Sequence, residues 1–393
     1  MNQTNLLGLT QQELADFAEQ LGEPRYRGKQ LYQWLYAKHA TSFAAMTDVS
    51  KGLRDELAAR CTIEFPALET HQQSDRDGTV KFLLRLSDNA KIESVLIPPR
   101  LAFRNRDASG EEEQRRLTVC ISTQVGCPLD CKFCATASMG YVRNLAVGEI
   151  VGQVLLSKRI SVKEITNVVF MGMGEPLMNY ENVMKAADII IGGIGIAARR
   201  VTVSTAGWAD RIRQMADEQR KVKLAVSLHS ANDETRLKLM PIARKFDLDS
   251  LMSSLEYYHR KTGKRVTYEY IFFDGVNDSE RDVAQFIKLA RRVPCKINVI
   301  PYHSIDSIAP TGISATLRPS PRMEGIVEEL RTSNLTVFVR SNAGEDIDAA
   351  CGQLAVKTAR NGRSDALHVR RTPRSAMATA PSQRVAPSSS RDH

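Results

Sequence analysis

No stretch of this chain is long and apolar enough to cross a bilayer. The longest apolar run, Ile189 to Ala198, has ten residues with three glycines among them, against the roughly 20 that a membrane helix needs. The start, Met1-Asn2-Gln3-Thr4, has neither the basic segment nor the apolar core of a secretion signal. Cysteine is scarce: seven in 393 residues, an odd number and clustered, which argues against a disulfide framework and for a reducing, cytoplasmic setting. No internal repeat is visible. What these absences leave is a globular protein off the membrane, 42% apolar and 25% charged, with length for two or three domains.

Charge adds one pointer. The net charge is +9, a balance that favours a polyanionic partner such as nucleic acid and supplies affinity rather than specificity. Much of it sits in the tail, where Arg360 to His393 carries seven Arg against two Asp. That segment is rich in Ser, Pro and Ala without apolar periodicity, so residues 358–393 are expected to be a disordered basic tail.

Residues 1–92 read as a small accessory unit. Helices are expected over Gln11–Leu21, Arg25–Lys38 and Lys51–Arg60, with Leu31, Trp34 and Leu35 on one face of the second. Arg25, Tyr26, Arg27 and Lys29 form a basic face there that suits a phosphate backbone. Two strands, Thr79–Leu86 and Lys91–Ile97, follow across the turn-rich Ser87–Ala90, and Arg100–Arg116 reads as a polar surface loop.

From Thr118 strand and helix alternate. Strands are expected at Thr118–Ser122, Asn167–Phe170, Val201–Ser204, Lys223–Ser227, Val266–Phe272, Lys296–Ile300 and Leu335–Val339. Helices fall between them, at Gly148–Arg159, Glu181–Ile190, Ala209–Glu218, Asp247–Lys261, Ser279–Arg291 and Arg322–Ser333. The pattern predicts an α/β fold over residues 93–357, an open parallel sheet or incomplete (β/α) barrel, whose ligands gather at the carboxyl ends of the strands. Four chemistry-bearing segments start at such ends: the loop holding Cys127, Cys131 and Cys134; Met171-Gly172-Met173-Gly174-Glu175-Pro176; Ser204-Thr205-Ala206-Gly207; and Ser227-Leu228-His229.

Cys127, Cys131 and Cys134 stand in a CxxxCxxC spacing on one short loop. A structural zinc site wants four ligands, usually two spaced pairs, yet the next cysteine is Cys295. Three soft thiolates with one corner left open suit an iron–sulfur cluster that binds something else at its fourth iron. Two more features stand out. Glu93 is the single carboxylate in an otherwise apolar strand, and Gly172 and Gly174 allow close backbone approach in the loop after Val168-Val169-Phe170.

The cysteine spacing, with Phe133 between the last two cysteines, resembles the signature of the radical S-adenosylmethionine (SAM) enzymes. Gly174-Glu175-Pro176 resembles that family's SAM-amino segment. Gln124-Val125-Gly126-Cys127, Cys134-Ala135-Thr136, Arg143-Asn144-Leu145, Ser227-Leu228-His229 and Asp346-Ile347-Asp348-Ala349-Ala350-Cys351-Gly352-Gln353-Leu354 narrow the resemblance to the RlmN/Cfr group, which methylates an adenine ring carbon in RNA. It runs from Arg25-Tyr26-Arg27-Gly28-Lys29 to Leu354 and leaves out the tail and the 100–116 loop.

The resemblance implies a [4Fe-4S] cluster on Cys127, Cys131 and Cys134, and SAM contacts from Gly174, Glu175, Ser204, Ser227, Leu228 and His229. His303, in Ile300-Pro301-Tyr302-His303, stands where the group usually has a SAM-contacting asparagine. It further implies that Cys351 is methylated first by one SAM. A radical from a second SAM then activates that methyl group for addition to the adenine carbon, Glu93 accepts a proton, and Cys120 releases the product through a transient disulfide with Cys351. The implied activity is methylation at carbon 2 of an adenosine in 23S rRNA, with tRNA as a further substrate. The implied electron donor is a flavodoxin or ferredoxin, and the chain is expected to be a monomer. Carbon 8 methylation, as in Cfr, uses the same residues, and a non-catalytic iron–sulfur RNA-binding protein is the reading from another class. Cys61 and Cys295 match nothing in the group and read as core.

Overall fold

The computed structural model describes residues 3–99, 116–305, 311–340 and 342–354. Its frame is one ten-stranded sheet: β1 (Ala67–Gln73), β2 (Val80–Arg85), β3 (Lys91–Ile97), β4 (Thr118–Cys120), β5 (Asn167–Phe170), β6 (Val201–Thr205), β7 (Lys223–Ser227), β8 (Val266–Tyr270), β9 (Cys295–Val299) and β10 (Val337–Val339). Their order in space is their order in the chain, with β1 and β10 at the two edges, so the barrel does not close among the described residues. Strands β4 to β10 all pair in parallel. That arrangement requires crossovers, and helices of nine to 15 residues supply most of them. All seven expected barrel strands and all six expected helices are present, with ends shifted by a residue or two.

Strands β1 to β3 run antiparallel, joined by tight turns, and β3 then pairs with β4. The expected boundary between residues 92 and 93 therefore falls inside β3, which is hydrogen-bonded on both edges. The accessory strands extend the barrel's sheet. Sequence periodicity reveals that a strand exists and which face it buries, but not which distant strand takes its free edge. The loop over 100–115 and the expected tail 358–393 lie outside the described residues.

The N-terminal helices Gln11–Gln20, Tyr26–Tyr32 and Lys51–Arg60 bury Leu14, Leu31 and Leu57 in the same core cluster as the barrel helices. The basic face expected on the second is largely committed within the protein. Arg25 pairs with Asp16 at 2.9 Å and Glu19 at 2.5 Å, and Arg27 with Glu23 at 3.3 Å. No helix among the described residues is long and apolar enough to cross a membrane.

Candidate active site

A cavity opens at the carboxyl ends of the parallel strands, lined by Cys127, Cys131 and Cys134 together with Cys351 and Gly352. The cysteine loop leaves the sheet through a short hairpin, Gln124–Gly126 against Tyr141–Asn144. Gly126 makes that turn possible. Its φ is +74°, and a Cβ there would lie 1.9 Å from the Gly140 carbonyl oxygen, which accepts from the Cys127 N–H at 2.8 Å. Lys132 N–H donates to Leu239 O at 2.9 Å and fixes the far side of the loop.

Burial pushes all three thiols up, Cys127 to about 12, Cys131 well above its ordinary value and Cys134 upward. Repulsion from neighbouring cluster cysteines adds to the shift at Cys127 and Cys131, and repulsion from Cys351 adds to it at Cys134. Dry thiols of this kind stay protonated unless a cation compensates them, and a bound iron does so. Among the described residues no three His, Cys, Asp or Glu side chains converge on a single ion. A multi-iron cluster takes each thiolate on a different iron, so three soft donors around one cavity fit a [4Fe-4S] group.

The loop after β5 forms the next wall. Gly174 has φ +104°, and a Cβ would press on Gln124 Cβ at 2.6 Å. Glu175 is buried, and both carboxylate oxygens are engaged: Leu177 N–H donates to Oε1 at 2.9 Å and Ala206 N–H to Oε2 at 2.7 Å. Burial raises its pKa, and these N–H donors pull it partly back. Glu175 thus laces the β5 loop to the β6 loop, while Gly174 and the backbone face the cavity.

Ser204, Ser227 and His229 line the opposite side. Ile271 N–H donates to His229 Nδ1 at 3.1 Å, which leaves the proton on Nε2. Burial, with Arg236 nearby, lowers the His229 pKa to about 3, so the ring is neutral. Leu228 is fully buried, and its N–H donates to Glu269 O at 3.0 Å; its side chain does not line the cavity. Neither does His303, whose Nδ1 lies 3.2 Å from Glu345 Oε1.

Cys351 reaches the cluster loop from far along the chain. Ala135 N–H donates to Gly352 O at 2.6 Å, and Thr136 Oγ1 to Leu354 O at 2.6 Å. Burial raises the thiol of Cys120, at the end of β4, to about 12, and repulsion from the Cys351 thiolate adds to the shift. Arg340 opposes the shift at both sulfurs. Both thiols are free. Glu93 is buried on β3, diagonal to Cys120, since Val95 and Cys120 are direct partners.

Several site residues carried no motif signal. Arg340 Nη1 lies 3.3 Å from Glu269 Oε1, and Ser204 Oγ donates to Glu269 Oε2 at 2.7 Å. Arg236 is fully buried behind the β6 loop, donating to Ala206 O at 2.7 Å and Phe246 O at 3.2 Å. A charged residue at the interior-facing end of a predicted strand was the available clue for Glu269 and Arg340.

An incomplete parallel barrel with three cluster cysteines and a glycine-lined cavity at its strand ends defines a radical SAM enzyme, using a [4Fe-4S] cluster and SAM. Comparison with known proteins agrees. Residues 121–287 match the radical SAM superfamily model, and residues 4–63 match the ribosomal RNA large subunit methyltransferase N-terminal domain. A radical SAM methyltransferase from Sphaerobacter thermophilus superposes with a TM-score of 0.78 at 39% identity, covering 89% of this chain and 99% of that one. A probable dual-specificity RNA methyltransferase RlmN from Flavobacterium psychrophilum is 43% identical over 360 residues, 90% of this chain and 98% of the relative. A dual-specificity RNA methyltransferase RlmN from Nitratidesulfovibrio vulgaris is 41% identical over 373 residues, 92% and 98% of the two chains. The chain belongs to the RlmN family of radical SAM RNA methyltransferases.

Proposed function

We propose that this enzyme methylates carbon 2 of an adenosine in 23S rRNA, and an adenosine of tRNA as a second substrate, through an S-methylcysteine at Cys351. The observation that carries the reading is that Cys120 and Cys351, remote in sequence, come within electrostatic reach of each other, with Cys351 lining the cavity that holds the three cluster cysteines. A methyltransferase acting by simple displacement needs no second cysteine there. An adenine ring carbon is electrophilic, so it cannot take a methyl cation directly, and a carbon carried on sulfur and then released by a thiol answers that difficulty.

In this reading the Cys351 sulfur, with Arg340 favouring its anionic form, attacks the methyl group of one SAM and takes it, releasing S-adenosylhomocysteine. A cluster held by Cys127, Cys131 and Cys134, with a second SAM bound, would supply the radical chemistry that removes a hydrogen atom from that methyl group. Cys351 then holds its carbon against the adenine ring as the carbon–carbon bond forms. The adduct gives up one electron, which the oxidised cluster would take back, and Glu93, buried on β3, receives the proton leaving the ring. The Cys120 thiolate then attacks the Cys351 sulfur. The carbon–sulfur bond breaks and its electron pair leaves with the carbon, which is protonated to the methyl group of the freed RNA. The Cys120–Cys351 disulfide that remains must be reopened by a reductant. Neutral His229 offers an Nε2–H to SAM, and Ser204, Ser227 and the Gly174 backbone complete its cradle. His303 is held instead by Glu345 and contributes indirectly. A flavodoxin or ferredoxin supplying the electron, and a cytoplasmic setting, suit the free thiols.

The test is product analysis. Anaerobically reconstituted enzyme with SAM and rRNA is expected to yield 2-methyladenosine on digestion and mass spectrometry. 8-Methyladenosine would replace the proposed regiochemistry. SAM cleavage without methylated RNA would sink the substrate assignment.

A further inference from the structure

Strand β2 holds a cation where its neighbours are apolar: Lys81 lies between Val80 and Phe82 and is 8% exposed. β2 pairs with β3 so that Lys81 faces Val95 and Leu83 faces Glu93. Lys81 and Glu93 are thus diagonal neighbours on one face of the sheet, a spacing that long side chains bridge. Lys81 Nζ lies 3.6 Å from Glu93 Oε1, with the two side chains 9% and 6% exposed. The same Nζ donates to the carbonyl oxygen of Asp348 at 3.3 Å.

Asp348 is three positions before Cys351, in a left-handed turn with φ 52°. The hairpin between β1 and β2 holds this segment at a second point. Gly344 N–H donates to Asp77 Oδ2 at 2.9 Å, and a Cβ on Gly344 would meet Thr79 Cγ2 at 2.8 Å. Glu93 is tied to the cofactor loop as well: Ser122 Oγ donates to Glu93 O at 2.6 Å and accepts from Met173 N–H at 2.9 Å. One lysine therefore joins the strand of Glu93 to the loop that carries Cys351.

Dehydrating a lysine and a glutamate together is a poor source of stability, because the loss of hydration roughly offsets the attraction. A pair in this place is better understood by what it orients. We propose that Lys81 is a positioning residue for the methyl transfer to RNA. It holds the Glu93 carboxylate and the backbone at Asp348 in one fixed relation, so that the proton acceptor and the Cys351 sulfur address the same adenine. The proposal rests on the assignment of Glu93 as proton acceptor. It makes Lys81 act through Glu93 and on turnover rather than on RNA binding.

A double-mutant cycle tests it in the reconstituted holoenzyme, with Lys81→Met, Glu93→Gln and the two combined. Lys81→Met keeps the packing of the stem and removes the charge. Steady-state RNA methylation gives kcat and KM, and mass spectrometry of the Cys351 peptide gives S-methylation. Glu93→Gln is expected to lower kcat by about 10²-fold, the lower end of what a positioned proton acceptor contributes. Lys81→Met is expected to lose about 10-fold in kcat, a part of that contribution, with the KM for RNA and the S-methylation of Cys351 unchanged. The combined variant should be no worse than Glu93→Gln alone.

Losses that multiply, or a KM effect in place of a kcat effect, overturn the proposal, as does full turnover in Lys81→Met beside a defective Glu93→Gln. Full turnover in both single variants overturns the assignment of Glu93 as well. If Lys81→Met fails to fold with a stranded buried glutamate, the combined variant carries no such charge and decides the matter. Turnover well below that of Glu93→Gln then sinks the proposal.

Discussion

The backbone N–H of Ala135 donates to the carbonyl oxygen of Gly352 at 2.6 Å, so the residue after one cluster cysteine holds the residue after Cys351. With the Thr136 to Leu354 bond beside it, Cys351 takes its place from the cluster loop itself. Gly352 is the sensitive point. Its φ is +84°, and a Cβ would lie 3.0 Å from Phe133 O. Gly352→Ala should therefore displace the turn at a cost of about 1–2 kcal/mol, or about 5- to 30-fold in the population of the competent loop. The expected outcome is S-methylation of Cys351 slowed by that factor, with iron and sulfide content after reconstitution unchanged. Equal losses of both would show that the turn supports the cluster and not Cys351 alone.

Gly126 and Gly140 face each other across the hairpin that launches Cys127, and both have positive φ. They should respond differently to alanine. A Cβ on Gly126 would lie 1.9 Å from Gly140 O, whereas a Cβ on Gly140 meets nothing within 4 Å. Gly140→Ala should cost only backbone strain, about 1–3 kcal/mol for a largely glycine-only conformation at φ 66° and ψ −166°. Gly126→Ala should add to its own positive-φ strain the loss of the Cys127 N–H bond, which alone costs about 1 kcal/mol or more. Iron per chain and the charge-transfer absorbance should fall in Gly126→Ala and hold in Gly140→Ala; equal retention in both would refute the hairpin's role in presenting Cys127.

Much of this site was legible because its chemistry is carried by short local patterns. Cys127, Cys131 and Cys134 sit on one loop, Gly174 follows a strand directly, and alternation placed both loops at the carboxyl edge of the sheet. Cys120 and Cys351 could be paired only through the family resemblance, since nothing in spacing joins positions so far apart. Lys81, Glu269 and Arg340 stayed hidden for a different reason. Each is a single charged residue in or beside a strand, a pattern shared with any solvent-facing position, and partnership across strands decides its burial. The join between β3 and β4 was missed on the same account, because edge pairing is a property of the whole sheet. The basic face at Arg25 and Arg27 illustrates the converse: a local pattern suggested phosphate contact, and nearby acids had taken the charges.

His229 sets a pH dependence whose sign follows from its burial. Its ring is kept neutral, with the pKa lowered from 6.5 to about 3. In the unfolded chain the imidazole gains a proton as pH drops below about 6.5, and the folded protein cannot match that until about pH 3. Its contribution is therefore complete above pH 6.5 and is lost as pH falls from there. At pH 5 the loss is about 2 kcal/mol, from 1.36 kcal/mol per unit. His229→Gln keeps an acceptor for the Ile271 N–H and removes the titration. Denaturant unfolding between pH 7 and 5 should show the variant losing about 2 kcal/mol less than the parent; parallel curves would mean that His229 is not neutral in the fold.

Cys120 and Cys351 are both free thiols held near Arg340, each raised by burial and lowered by that guanidinium. Their difference lies in placement. Cys351 lines the cavity on a segment tied to the cysteine loop, while Cys120 is the buried last residue of β4, at 7% exposure. A residue that must present a carbon to RNA belongs on the former, and one that only needs to reach a sulfur belongs on the latter. Cys351→Ala should abolish RNA methylation with the cluster intact, since no sulfur remains to carry the methyl group. Cys120→Ala should still methylate Cys351 and couple it to RNA, yet fail to let go. A species of the summed mass, surviving denaturation and removed by nuclease, should then accumulate at up to one equivalent per chain. Multiple turnovers by Cys120→Ala without that species would remove Cys120 from the release step and leave its position beside Cys351 a matter of packing.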